Sequence, residues 1–82
     1  PLRVLVADDS TVTRRVLRAH LLTQWPDIVI KEAADGAETA QALRDGGLDI
    51  AFVDMRMPRL SGPAAVMEAR RHGPLPLVIY VT

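Results

Sequence analysis

The chain has 82 residues, of which 49% are hydrophobic and 24% are charged, and ten basic side chains balance ten acidic ones. This length has room for one core at most, and we expect a single domain over residues 1–82. The formal charge of zero argues against a nucleic-acid partner, because such proteins usually carry a basic excess. The lack of cysteine excludes disulfides, thiol catalysis and cysteine-bound metals.

Targeting signals are the next class to consider. No apolar run approaches the roughly 20 residues that a membrane-spanning helix needs. The first residues, PLRVLVADDS, lack the basic region and the long apolar stretch of a signal peptide. We therefore expect a soluble, cytoplasmic protein that does not contact a membrane.

The first predicted unit is a strand followed by a helix. Residues 2–7 are apolar apart from Arg3, which predicts a strand covered on both faces, as in a parallel sheet. Asp8, Asp9 and Ser10 follow, and their side chains suit the first N–H groups of a helix. The predicted helix covers residues 11–23 and ends before Pro26, because the residue before proline avoids the helical conformation.

The first helix carries two unequal faces. Arg14, Arg15 and Arg18 share an arc of about 100° on the helical wheel, and a solvated basic face is the simplest interpretation. The remaining arc is apolar and wider than one contact with a sheet requires. This width predicts that another element packs on the flank of the helix.

Two more strand–helix units and a final strand follow. Residues 28–33 predict a polar edge strand containing Lys31 and Glu32, and residues 37–45 predict a short helix ended by two glycines. Residues 50–53 predict a central strand that delivers Asp54. Residues 61–63 open a third helix that ends near residues 72–73, and Leu77–Val81 predict the last strand, before Thr82.

The order βαβαβαβ predicts a parallel sheet with helices on both faces and right-handed crossovers. Sites in such sheets form beyond the carboxyl ends of the strands. Asp8 and Asp9 end the first strand, Asp54 ends the third and Thr82 ends the fourth. If the first and third strands are neighbours, three carboxylates meet, which is costly without a cation or shared protons. Oxygen ligands of this kind suit Mg²⁺.

Each part of this pattern also has a plain structural interpretation. Asp-Asp-Ser after a strand is typical of a helix cap, and a single aspartate at a strand end is common. Their combination on strands predicted to be adjacent favours a functional site. A carboxylate beside Mg²⁺ can attack a phosphoryl group, and a hydroxyl such as that of Thr82 can hydrogen-bond the phosphoryl oxygens.

Four segments resemble one known family, the CheY-like receiver domains of two-component response regulators. The segments are ADDS at 7–10, AADGAETAQAL at 33–43, DMRMPRLSG at 54–62 and VIYVT at 78–82. They stand in the family's order and spacing. The resemblance implies an α/β, flavodoxin-like, doubly wound parallel sheet with strand order 2-1-3-4. It also implies a signalling switch whose partner is a histidine kinase or a phosphotransfer protein.

The resemblance also implies roles for individual residues. Asp54 would be the phosphoacceptor, and Asp9 and Asp54 would bind Mg²⁺ directly together with the backbone carbonyl of Arg56. Asp8 would act through a bound water, and Thr82 would be the switch hydroxyl. Because the first helix commonly meets the kinase in this family, its arginines have docking as an alternative role.

One departure from the family concerns the last third of the domain. Family members continue through a fourth helix, a fifth strand with a site lysine and a fifth helix, and this sequence contains none of them. We expect either that the polypeptide is longer or that the exposed fourth strand pairs with a second copy as a homodimer. The first explanation is favoured.

Three functions remain in competition at the level of sequence. The first is a receiver that catalyses its own phosphorylation and dephosphorylation but is not an enzyme acting on small molecules. The second is a degenerate or truncated receiver that serves only as an interaction or dimerisation module. The third is a haloacid dehalogenase-type phosphatase, which requires D-x-D, whereas Asp8 and Asp9 are adjacent here.

Overall fold

The computed structural model describes residues 1–82, in which strands and helices alternate. The elements are β1 (Arg3–Ala7), α1 (Thr11–Gln24), β2 (Val29–Ala33), α2 (Gly36–Asp45), β3 (Ile50–Asp54), α3 (Gly62–Arg70) and β4 (Leu77–Val81). Every predicted element is present, and its ends differ from the prediction by a few residues at most. No helix has the length and apolar character that crossing a membrane requires.

The four strands form one parallel sheet in the order β2-β1-β3-β4, which confirms the predicted fold. Ala7 lies beside Ala33 on one side and beside Val53 on the other, so β1 is central. Asp54 lies beside Val81. The residues that follow β1, β3 and β4 therefore share one edge of the sheet, while the polar strand β2 lies at an outer position, as predicted.

Helices cover both faces of the sheet, and the side chains of β1 alternate between two clusters. On the face of α2 and α3, Leu5 and Ala7 pack into a cluster of nine buried residues. On the face of α1, Val4 and Val6 pack with Leu21 and Ile28 into a cluster of four. The apolar character of both β1 faces follows from this double cover.

Each helix begins at a side chain that caps its first turn. Ser10 Oγ accepts a hydrogen bond from the Thr13 N–H, and Ser61 Oγ accepts one from the Ala64 N–H. Asp35 Oδ1 accepts a hydrogen bond from the N–H of Glu38. These bonds satisfy N–H groups that have no partner inside the helix, so each helix has a defined first turn.

The outer flank of α1 exposes large apolar side chains. Val12 and Val16 on this helix are 69% and 65% exposed. They line a groove together with Leu17, His20 and Val81. Within residues 1–82 no element packs on this flank, so the predicted additional contact of α1 is not made by the residues described.

Candidate functional site

Three acidic side chains meet where β1 and β3 end. One carboxylate oxygen each from Asp8, Asp9 and Asp54 lies within 4.8 Å of the other two. Asp8 and Asp9 follow β1 directly, and Asp54 is the last residue of the adjacent strand β3. The sheet order thus brings together carboxylates that are separated by more than forty positions in the chain.

The three carboxylates of this cluster repel one another when all are ionised. Burial raises the pKa of Asp8 above 3.8, and the nearby carboxylates of Asp54 and Asp9 raise it further, while a hydrogen bond from the Ser10 N–H opposes the shift. A divalent cation would offset this repulsion. Carboxylate oxygens are the hard ligands that Mg²⁺ prefers, so the donor set fits this ion.

The acidic turn, residues 8–10, is held in place by hydrogen bonds from three directions. The Asp8 N–H donates to the carbonyl of Ala33 on β2 at 3.0 Å. The Ser10 N–H donates to Asp8 Oδ1 at 2.8 Å. A guanidinium N–H of Arg14 donates to the carbonyl oxygen of Asp8 at 2.6 Å. Both the backbone and the side chain of Asp8 therefore have fixed partners.

The interpretation of the arginines of α1 as a uniformly solvated face is wrong for Arg14. Its side chain is only 14% exposed, and its Nε lies 3.0 Å from Glu32 Oε1. Arg18 contacts the same carboxylate at 3.4 Å but is 44% exposed. Sequence reasoning missed Arg14 because its partners come from a turn and a distant strand, and the helical wheel shows neither.

Residues 55–61 form the other side of the site and are called the acceptor loop, after the role that the sequence predicts for Asp54. The Arg56 N–H donates to Asp54 Oδ1 at 3.3 Å, and the Met55 N–H donates to the Val81 carbonyl at 3.1 Å. Asp54, Met55, Arg56 and Thr82 line one cavity. The structure thus places Arg56 and Thr82, both singled out from the sequence, beside Asp54.

Two glycines allow the acceptor loop to approach its neighbours closely. A Cβ added to Gly62 would overlap the Asp54 carbonyl oxygen, and one added to Gly36 would overlap the carbonyl oxygen of Leu60. The Gly62 N–H also donates to the Met55 carbonyl at 3.2 Å. Only glycine fits at these two contacts, which join the loop to α2 and α3.

Side chains add a second set of contacts between the loop and α2. Arg59 adopts a positive φ of 73° and forms an ion pair with Asp35 at 3.4 Å. Met57 packs against the larger buried cluster, and the Thr39 hydroxyl lies 3.7 Å from its sulfur. The loop that follows Asp54 is therefore anchored along its length.

Comparison with protein families gives one match over nearly the whole chain. Residues 4–82 match the response regulator receiver domain. A protein-glutamate methylesterase/protein-glutamine glutaminase from Nitrosospira multiformis is 40% identical over 79 residues, which are 95% of this chain and 22% of that protein. The chain thus spans about a fifth of the length of this curated relative.

Solved structures give the same result. The response regulator domain of Thermotoga maritima CheB is 32% identical, with a TM-score of 0.82 over 96% of this chain and 58% of that one. A yeast receiver domain, from Saccharomyces cerevisiae, was crystallised with a histidine phosphotransfer signalling protein. It is 25% identical, with a TM-score of 0.79 over 99% of this chain and 63% of that one.

The family match, the sheet order and the acidic cluster all agree with one another. Receiver domains are the signalling modules of two-component systems, and they generally bind Mg²⁺ at an acidic pocket of this kind. The family resemblance predicted from the sequence is thereby confirmed. This chain belongs to the family of response regulator receiver domains.

Proposed function

We propose that the chain is a phosphorylatable signalling switch in which Asp54 accepts a phosphoryl group from a histidine in a Mg²⁺-dependent reaction. The observation that carries the proposal is the convergence of Asp8, Asp9 and Asp54 within 4.8 Å. A cluster of this kind costs free energy in the absence of a cation, and it supplies both a nucleophile and metal ligands when one is bound.

In the proposed reaction a carboxylate oxygen of Asp54 attacks the phosphorus of a phosphohistidine. The bond between phosphorus and the imidazole nitrogen breaks, and that nitrogen keeps the electron pair. An aspartyl phosphate is formed. The acceptor lies at the end of a central strand, and hydrogen bonds from the backbone fix the adjacent loop, so its position is set before the donor arrives.

The residues proposed to hold Mg²⁺ are Asp9 and Asp54 directly, Asp8 through a water and Arg56 through its backbone carbonyl. The ion supplies positive charge that reduces repulsion between the nucleophile and the phosphoryl oxygens. Thr82 is proposed as the hydroxyl that hydrogen-bonds the phosphorylated side chain. Its place in the same cavity as Asp54 supports that role.

The proposed donor is a histidine kinase or a histidine phosphotransfer protein. The yeast receiver crystallised with such a phosphotransfer protein supports this class of partner. Asp54 is accessible to a partner, because it is only half-buried and borders an open cavity. No direct contact with nucleic acid is part of the proposal.

Acetyl phosphate, a small phosphoryl donor, tests the proposal without a kinase. With Mg²⁺ present, the protein is expected to gain the mass of one phosphoryl group, and Asp54→Asn is expected to gain none. Asp49→Asn is the matched control, because Asp49 lies at the opposite end of β3 and is not in the cluster.

Phosphorylation measured without Mg²⁺, and in the variant Asp9→Asn, distinguishes a phosphorylated switch from a module that acts only by interaction. Both changes are expected to abolish phosphorylation if the metal is required. Beryllofluoride, a phosphoryl mimic, should bind to the protein but not to Asp54→Asn. If the folded protein reacts with neither reagent, the switch is wrong, and a module acting only by interaction becomes the better proposal.

Further expectations belong to the same proposal. Residues 1–82 are proposed to be part of one receiver domain in the cytoplasm, which acts by signalling rather than by turnover of a small molecule. A homodimer through β4 stays a hypothesis, supported by the edge position of this strand and by exposure of Leu77, Ile79 and Tyr80. Light scattering of the protein and of Ile79→Lys would test it.

A further inference from the structure

We infer that Arg14 is a positioning residue that sets the geometry of the acidic turn and thereby strengthens Mg²⁺ binding. The inference rests on the proposed function, because it concerns the same metal site. Arg14 has no carboxylate of the cluster as its partner. It acts through the backbone of Asp8, whose carbonyl oxygen accepts its hydrogen bond at 2.6 Å.

The guanidinium is held at several points. One N–H donates to the Asp8 carbonyl, Nε donates to Glu32 at 3.0 Å, and the other terminal nitrogen lies 3.4 Å from Thr11 Oγ1. Arg14 therefore ties the acidic turn to β2 and to the first turn of α1. The planar fork of arginine makes such simultaneous contacts possible, whereas the ammonium of lysine has a different shape.

The position of Glu32 follows from the register of the sheet. Glu32 lies beside Val6 in the pairing of β1 with β2, and Val6 faces α1. Glu32 therefore lies on the α1 side of an edge strand, and its carboxylate forms ion pairs with both Arg14 and Arg18. The two arginines differ in one respect that matters, since only Arg14 also bonds the acidic turn.

The positive charge of Arg14 and its hydrogen bond to Asp8 have opposite expected effects on the affinity for Mg²⁺, which makes the inference testable. A positive side chain close to a cation site disfavours the cation by simple repulsion, so removing Arg14 would strengthen Mg²⁺ binding if charge alone mattered. Loss of the hydrogen bond instead frees the carbonyl group of Asp8 and loosens the acidic turn, although the bonds to Ala33 and Ser10 remain. Supporting contacts around metal ligands typically contribute about 10- to 100-fold in affinity.

Calorimetric titration with Mg²⁺ is the main experiment, performed on the protein, Arg14→Met and Arg18→Met. Methionine replaces the apolar, unbranched stem of arginine and lacks the guanidinium, so the hydrogen bonds are lost. We expect Arg14→Met to bind Mg²⁺ about tenfold more weakly, at the lower end of the range for supporting contacts. Arg18→Met loses a contact with the same glutamate and should keep its affinity within about twofold, because no bond to the turn is lost.

NMR spectroscopy of the metal-free protein provides a second measurement, which reports on the conformation of the acidic turn. Backbone amide resonances of Asp9 and Ser10 are expected to shift in Arg14→Met and to stay in place in Arg18→Met. Arg14→Lys should recover part of the affinity, and Glu32→Gln should give an intermediate loss while retaining Arg14. If Arg14→Met does not fold, Glu32→Gln and Arg14→Lys carry the same test.

The outcomes separate the inference from the proposed function. Equal or tighter Mg²⁺ binding by a folded Arg14→Met, or equal loss in both arginine variants, would overturn the inference and leave the proposed function intact. Absence of Mg²⁺ binding by the unchanged protein would overturn the proposed function itself, and the inference with it.

Discussion

The two sides of the site are built by different means. The acidic turn is held mainly by polar contacts, which come from the Ser10 N–H, from Arg14 and from the carbonyl of Ala33. The acceptor loop also has hydrogen bonds and an ion pair, but it depends in addition on close packing, which requires the absence of a side chain at Gly36 and Gly62. The acidic turn contributes the carboxylates of Asp8 and Asp9, and Asp54, which lies immediately before the acceptor loop, contributes the third.

The difference predicts how each side responds to substitution. A lost hydrogen bond at the acidic turn leaves the other bonds in place, so the effect is graded. An added carbon at Gly62 must displace the backbone of Asp54, so the effect is abrupt. The acceptor loop should therefore tolerate fewer changes than the acidic turn.

Gly62→Ala is expected to have the largest effect on stability. The new Cβ would overlap the carbonyl oxygen of Asp54 and crowd the side chain of Val53, so the loop or the strand must shift. We expect a loss of about 3 kcal/mol in the free energy of unfolding, near the upper end for overpacking. Denaturant unfolding measures it.

Met67→Ala is the matched control on the same helix, because Met67 is 67% exposed. It should change the free energy of unfolding by about 0.5 kcal/mol or less. If Gly62→Ala is as stable as this control, close packing does not hold the acceptor loop, and the contrast between the two sides is wrong.

The two serine caps allow a balanced comparison of the two sides. Ser10→Ala removes the cap of α1 beside the acidic turn, and Ser61→Ala removes the cap of α3 beside the acceptor loop. Each is expected to cost about 1 kcal/mol in the free energy of unfolding. Thermal unfolding should show a decrease of roughly 4 to 8 °C for that loss in a domain of this size.

Thr23→Ala is the control for the caps, because its hydroxyl donates to the Ala19 carbonyl within α1 and caps nothing. A loss equal to that of the caps would show that the capping bonds are not the cause. A much larger loss in Ser61→Ala than in Ser10→Ala would show that the acceptor loop depends on its polar contacts more than the acidic turn does, and would contradict the comparison.

Asp8→Asn is expected to have the smallest effect and to depend on pH. Because the pKa of Asp8 in the folded protein is raised above 3.8, the folded state holds the proton more tightly than the unfolded state. Without metal, stability therefore falls as the pH rises from 3.8 through the folded pKa. Asp8→Asn should be the more stable protein at neutral pH, and the difference should close in acid.

Thermal midpoints of both proteins across this pH range measure the effect. Mg²⁺ should stabilise the unchanged protein at neutral pH more than Asp8→Asn, since bound metal stabilises the folded state and the variant has lost a carboxylate. Asp27→Asn, which removes an exposed carboxylate outside the cluster, is the control. A metal-free Asp8→Asn that is less stable at neutral pH would contradict the prediction.

Much of the fold could be predicted because the period of apolar residues changes with the type of element. The last strand, Leu77–Val81, has the predicted bounds, and the polar residues Lys31 and Glu32 indicated the outer position of β2. Alternation of strands and helices then restricts the sheet to parallel order. The convergence of Asp8, Asp9 and Asp54 follows from that order once β1 and β3 are neighbours.

The sequence by itself therefore determined the elements, the acidic cluster and the family, because these depend on local patterns and on short motifs. Only the tertiary structure decided what holds the cluster in place. The contact of Arg14 with Asp8 and Glu32 requires the register of β2, and the fit of Gly62 against Asp54 requires the path of the acceptor loop. Both are contacts between residues distant in the chain or in separate elements, and no local pattern encodes their geometry.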